Sequence, residues 1–171
     1  MYNRIIVPID GSKPADKALD HTIRLARSIS VDGRLNKIEV IILTIIPDLP
    51  GTLGFEPPRR SIRTGEVISF SEYVNEMYEL KRLNAIKLVS ARKKEYESHR
   101  TKDDDFTLRE EVIVGKGNSI SDTILEFAIK EQADLLVIGN TGLSGISKLK
   151  TLGSVSRSIA EKSSCPVLIV H

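Results

Sequence analysis

The feature that most constrains this chain is a set of short apolar runs, rich in β-branched residues, in which apolar and polar positions do not alternate. Arg4-Ile5-Ile6-Val7-Pro8-Ile9 is strand-length and apolar on both sides, which suits a strand covered on both faces of a sheet. The runs at 38–46, 135–138 and 167–170 have the same character, and helical-period segments separate them. Strands buried on both faces and alternating with helices predict a mainly parallel, doubly wound sheet rather than a sandwich or a bundle.

Asp10-Gly11-Ser12 reads as a turn and N-cap, and Pro14 suits a first helical turn. Ala15, Ala18, Leu19, Thr22, Leu25, Ala26 and Ile29 then share one face of a helix over 13–30. The second strand, 38–46, is stopped by Pro47 and Pro50. Residues 48–71 contain Pro50, Gly51, Gly54, Pro57-Pro58 and Gly65 with no steady period, so this segment is expected to be a flexible insertion, a mobile loop or lid. A long helix follows over about 73–99, with Val74, Met77, Leu80, Asn84, Leu88 and Ala91 on one side.

The third strand is expected at 108–114, its start exposed because Arg109, Glu110 and Glu111 lie there. Ser119 with Asp122 three residues on resembles a capping box, and Ile120, Ile124, Phe127 and Ala128 stripe a helix ending near Gln132. A fourth strand over 134–138, a helix over about 154–163 and a fifth strand over 167–170 complete the pattern. Residues 1–171 then form one domain of five strands and four helices. Ligands of such sheets sit beyond the carboxyl ends of the strands, where Asp10, Ile45, Gly115 and Gly139 would gather.

Composition narrows the function. With 40% hydrophobic and 28% charged residues in 171, one adequate core is available. A net charge of +2 gives no electrostatic footprint for nucleic acid or an anionic membrane. The single cysteine, Cys165, has no internal disulfide partner and reads as a packing residue. The longest apolar run, at 40–46, falls far short of the roughly 20 residues that span a bilayer. No signal-peptide pattern precedes the first strand. A soluble, cytoplasmic protein is expected. His21, His99 and His171 are too dispersed for a metal signature, so no structural metal is predicted.

The candidate chemistry lies in the last third, where the fourth strand enters Gly139-Asn140-Thr141-Gly142 and the last helix opens at Gly153-Ser154-Val155-Ser156. Glycine lets a backbone approach an anion, and a helix start offers unpaired N–H groups and a positive dipole end. Neither G-x-x-x-x-G-K-[ST] nor G-x-G-x-x-G is present, which excludes the P-loop and ordinary dehydrogenase patterns.

Three features together resemble the universal stress protein family. They are Pro8-Ile9-Asp10 ending the first strand, the two glycine turns, and Cys165-Pro166-Val167-Leu168-Ile169-Val170 at the close. The ATP-binding subgroup is described by G-x2-G-x9-G-[ST]; here ten residues, 143–152, separate Gly142 from Gly153. The resemblance implies a five-stranded parallel sheet of order 3-2-1-4-5 with helices on both faces, akin to the adenine nucleotide alpha hydrolases. It also implies a homodimer paired through the last strand, 167–170.

For the site, the resemblance implies that Pro8, Ile9 and Asp10 lie beside adenine and ribose, with Asp10 accepting a ribose hydroxyl or orienting a metal-bound water. Ile45 would flank adenine and Ile138 would pack under the sugar. Gly139, Gly142 and Gly153 would give backbone approach, and Ser154, Val155 and Ser156 would donate N–H and hydroxyl groups to phosphates. The implied cofactors are ATP and Mg²⁺. The implied function is an ATP-binding stress-response or regulatory protein that couples nucleotide occupancy to an unknown protein partner.

The residues themselves leave rival readings open. Asp10 is equally suited to capping the first helix, and isolated glycines usually serve turns. Arg59, Arg60 and Arg63 read as a solvated basic cluster, as do Lys148 and Lys150. Arg92-Lys93-Lys94 beside Glu95 and Glu97 reads as an exposed charged face. The alternative function is a homodimeric interaction or chaperone-like module that binds no nucleotide. An adenylate-forming or pyrophosphatase enzyme would need S-G-G-x-D-S after the first strand, where this chain has Asp10-Gly11-Ser12-Lys13-Pro14. No base or arginine finger for turnover is identifiable, so at most slow ATP hydrolysis is expected.

Overall fold

The computed structural model describes residues 2–30, 37–48, 56–102, 104–115, 117–143 and 152–171. The principal sheet contains β1 (Arg4–Pro8), β2 (Ile38–Ile46), β5 (Phe106–Val114), β6 (Leu135–Gly139) and β7 (Val167–Val170). Its order is β5-β2-β1-β6-β7 and every pairing within it is parallel. In terms of the five expected strands this is the order 3-2-1-4-5.

The non-alternating runs fill two cores at once. Ile5, Val7, Val40, Ile42, Leu135 and Val137 face one layer, while Ile6, Ile41, Leu43, Leu136 and Ile138 face the other. Because strand side chains alternate sides, a strand apolar at every position is stable only between two layers. One layer holds α1 (Lys13–Ser30) and α2 (Phe70–Ser98). The other holds α3 (Ile120–Lys130) and α4 (Ser154–Lys162). Each fully buried Ile or Leu contributes about 1.5–3 kcal/mol.

Three sequence expectations need correction. Part of the segment read as an irregular insertion is regular: β3 (Arg59–Arg60) and β4 (Val67–Ile68) pair as an antiparallel hairpin. Glu76 of α2 pins it, accepting the Ser61 hydroxyl and the Ile62 N–H at 2.7 Å each. The Ser61 hydroxyl in turn holds the Glu76 carboxyl below its ordinary pKa. Arg59, Arg60 and Arg63 are exposed on this hairpin. Residues 49–55 lie outside the described residues.

The second correction concerns α2, which starts at Phe70 on a full Ser69–Glu72 capping box and seats its expected face only in part: Leu88 packs on the core and Val74 and Met77 are half-buried. Ala85 and Val89 are buried, whereas Leu80, Asn84 and Ala91 of the expected face are exposed. Arg92 is half-buried rather than solvated. It reaches Asp16 of α1 at 2.5 Å as well as Glu95 at 3.0 Å, so a cation sits on the seam between the helices.

The third correction concerns β5, which begins two residues earlier than expected, at buried Phe106; Thr107 and Glu110 are exposed as the charged run suggested, while Arg109 and Glu111 are half-buried. Arg109 is tolerated within it because Glu39 and Glu131 lie at 3.3 and 2.5 Å.

Candidate functional site

The sheet opens where its strands diverge. β1 pairs with β2 along its whole length, but with β6 only at Ile5–Leu135 and Ile6–Leu136. Beyond those pairs a crevice forms at the carboxyl ends of β1, β2 and β6, at the point where the strand order reverses. It is a cavity of 490 Å³, within the range that takes a nucleotide-sized ligand.

All eleven residues expected at a nucleotide site border this one cavity. Pro8, Ile9 and Asp10 come from the end of β1, Ile45 from β2, and Ile138 and Gly139 from β6. Gly142 comes from the following turn, and Gly153, Ser154, Val155 and Ser156 from the start of α4. Sequence reasoning missed Ala15, Thr44, Pro47, Ile120, Ile124, Thr141 and Leu143, which also border it. Ile120 and Ile124 were legible as apolar positions of a helix start following a parallel strand, which places them at the carboxyl end of the sheet. Thr44 donates its hydroxyl to the Ile9 carbonyl at 3.0 Å and ties the ends of β1 and β2 together.

The glycine turns are shaped by the protein itself. A Cβ on Gly139 would stand 2.6 Å from the Pro14 carbonyl carbon, so only glycine lets the start of α1 pack on the end of β6. A Cβ on Gly142 would stand 2.7 Å from Asp10 Oδ2. Asp10 holds both of its neighbouring turns: Oδ1 accepts the Ser12 N–H at 2.9 Å and Oδ2 accepts the Leu143 N–H at 3.0 Å. Capping of α1 falls instead to Ser12, whose hydroxyl accepts the Ala15 N–H at 3.3 Å.

The N-cap of α4 is Gly153, which supplies no side-chain cap. The first N–H groups of the helix are therefore left without a capping side chain at the cavity wall, where a helix start favours negative charge. The Ser156 hydroxyl, expected to donate to phosphate, donates instead to the Gly139 carbonyl at 2.8 Å and locks α4 onto β6. Ser154 is exposed at the rim.

Asp10 is the only charged side chain among the described residues bordering the cavity. Among the described residues no group of three or more His, Cys, Asp or Glu side chains forms a metal site. Each Asp10 oxygen accepts one N–H and retains a second lone pair, so it fits a ribose hydroxyl or a water held by a nucleotide-borne cation. Residues 144–151, including Lys148, Lys150 and most of the ten-residue glycine interval, lie outside the described residues. Cys165 is half-buried against the α3–α4 core. No helix among the described residues is long and apolar enough to cross a membrane.

A five-stranded doubly wound α/β protein with its crevice at the strand-order reversal is the class that fold and site define. The chain belongs to the Universal stress protein family, whose model matches residues 1–171. The universal stress protein YxiE of Bacillus subtilis is 29% identical over 171 residues, covering 100% of both chains. A universal stress protein of Methanocaldococcus jannaschii is 26% identical over 170 residues, covering 99% of this chain and 82% of its own length. The solved UspA of Lactobacillus plantarum superposes with a TM-score of 0.74 at 18% identity, covering 99% of this chain and 98% of that one. A universal stress protein solved in complex with cAMP gives 0.56 at 24% identity, covering 99% and 97%.

Proposed function

We propose that the cavity binds an adenine nucleotide and that the protein is a nucleotide-responsive member of its family, of the ATP-binding type. The observation that carries this reading is the convergence of the ends of β1, β2 and β6 with the uncapped start of α4 on one cavity. Apolar walls at Ile9, Ile45, Ile120 and Ile138 suit a purine and sugar, and the start of α4 suits phosphate. A solved relative complexed with cAMP supports an adenine ligand. Mg²⁺ would enter with the phosphates of ATP, with Asp10 as the nearby carboxylate. The role is binding rather than turnover, because Asp10 is the only ionisable side chain among the described lining residues and it already holds two turns. Occupancy would bias a surface recognised by a protein partner.

A homodimer is part of the same proposal. β7 is an edge strand whose Val167, Leu168, Ile169 and Val170 are only half-buried, and an apolar edge of this kind calls for a second strand.

A second reading is an interaction module that binds no nucleotide, and one observation favours it. Gly139, Gly142 and Ser156 are each accounted for by contacts within the chain, so the motif would persist without a ligand. Mass spectrometry of small molecules released from the denatured protein, followed by calorimetric titration with ATP, AMP and cAMP with and without Mg²⁺, separates the two. Near-stoichiometric adenine nucleotide supports the first reading. No nucleotide and no binding supports the second.

A further inference from the structure

Asp48 immediately follows Pro47, one wall of the cavity, and its Oδ2 accepts the Gly117 N–H at 2.7 Å. Gly117 lies three residues before Ile120, the facing wall on α3. The same carboxylate accepts the Tyr78 hydroxyl through Oδ1. One side chain therefore joins two cavity walls to α2.

The part of α2 that it reaches is the loosely seated part. Between residues 70 and 84 no side chain is buried; the buried residues of this helix are Ala85 and Val89. The stretch also carries the β3–β4 hairpin through Glu76 and presents exposed Leu80 and Leu83. Hairpin and stretch together make an arm with little core of its own, and such elements open at low free energy.

We infer that Asp48 is a positioning residue that sets the spacing of the Pro47 and Ile120 walls and passes cavity occupancy to this arm. The inference rests on the nucleotide-binding reading and names the regulation of that site. A ligand between the two walls favours the arrangement in which Asp48 holds both Gly117 and Tyr78, so binding closes the arm. By linkage, an arm held closed raises ligand affinity by the same factor.

The test is hydrogen exchange read by mass spectrometry on the full chain, with and without saturating Mg-ATP, in the wild type, Tyr78→Phe and Asp48→Asn. In the wild type, nucleotide should slow exchange across 59–84 by about fivefold or more. In Tyr78→Phe, which removes one hydroxyl and no cavity-lining group, the 117–124 segment should remain protected by nucleotide while the arm no longer responds. Affinity should fall by the factor that the arm loses. Asp48→Asn should weaken both responses.

A purely structural hydroxyl would lower the melting point yet leave the arm responsive to nucleotide, and that result overturns the inference. Wild-type protein that binds Mg-ATP with no change in the arm overturns the inference alone. Wild-type protein that binds no nucleotide overturns the binding reading, and this inference with it.

Discussion

The two ends of the principal sheet are built from opposite chemistry. At the amino ends of the strands, Arg4 meets Glu39 at 2.7 Å and Arg109 reaches both Glu39 and Glu131. Asp104 takes a two-pronged contact from Arg27 at 2.9 and 3.2 Å. At the carboxyl ends glycine turns and apolar walls surround the cavity, and Asp10 is the only charged side chain among the described residues that line it. Charges paired to one another close the first end, while the second end keeps a cavity open. The difference teaches that in a parallel sheet stability and binding can be assigned to separate ends of the same strands.

The largest expected effect tests whether that separation is complete. Gly139 belongs to the cavity end, yet its missing Cβ is what lets α1 pack, so Gly139→Val should cost about 3 kcal/mol by overpacking. Urea denaturation reads this directly, and an unchanged midpoint would mean that the start of α1 yields freely.

Next comes Asp104. Burial works against its charge, but the Thr101 N–H and the Arg27 guanidinium outweigh burial and hold its pKa below the usual carboxylate range. A depressed folded pKa means that the stabilisation is complete above the unfolded value near 4 and is lost as pH falls through the folded value. Asp104→Asn should therefore cost about 2 kcal/mol at neutral pH. It should also flatten the acid limb of the stability curve below about pH 4, with nucleotide affinity unchanged. Denaturation midpoints collected from neutral pH to pH 3 give both readouts.

Gly142→Val sharpens the comparison from the other side. Its Cβ would press on Asp10 Oδ2, so affinity for adenine nucleotide should fall at least about tenfold, some 1.4 kcal/mol. The melting point and the oligomeric state should barely change. Unchanged affinity in titration calorimetry would remove Gly142 from the site.

The smallest effect belongs to Glu39→Gln. Its contacts to Arg4 and Arg109 are partly exposed and worth about 1 kcal/mol, so a slight loss of thermal stability with intact binding is expected. A binding defect here would mean that the two ends of the sheet communicate.

The fold was legible wherever local pattern and burial agree. α1 occupies Lys13–Ser30 and β7 Val167–Val170, the spans expected from the sequence, because Pro14, the apolar period and Cys165-Pro166 mark their limits. The cavity residues were legible because glycines and strand ends stand at recognisable places in a βα alternation. What stayed hidden depends on distant partners. The α2 face was read only in part because Leu80 on it is apolar yet exposed, while the seam is marked by Arg92, whose partner Asp16 lies 76 residues away. The hairpin escaped notice because two-residue strands leave no period, and the Glu76 contact that holds it spans 15 residues. Nothing local in Gly139 announced that its neighbour is Pro14.

β1 is made before the other strands of its sheet and ends in the middle of that sheet. One of its flanks waits only for β2, but the other waits for β6, and the Asp134 carboxylate that receives the Arg4 N–H is 130 residues further along. Through most of translation Ile5, Ile6 and Val7 therefore have an unpaired edge and unfilled cores. Non-local pairing of this kind makes folding slow and exposes nascent chains to association. A ribosome stalled before residue 135 would release an apolar strand without its neighbour, so the safe lifetime of this protein begins only when its last third has left the ribosome.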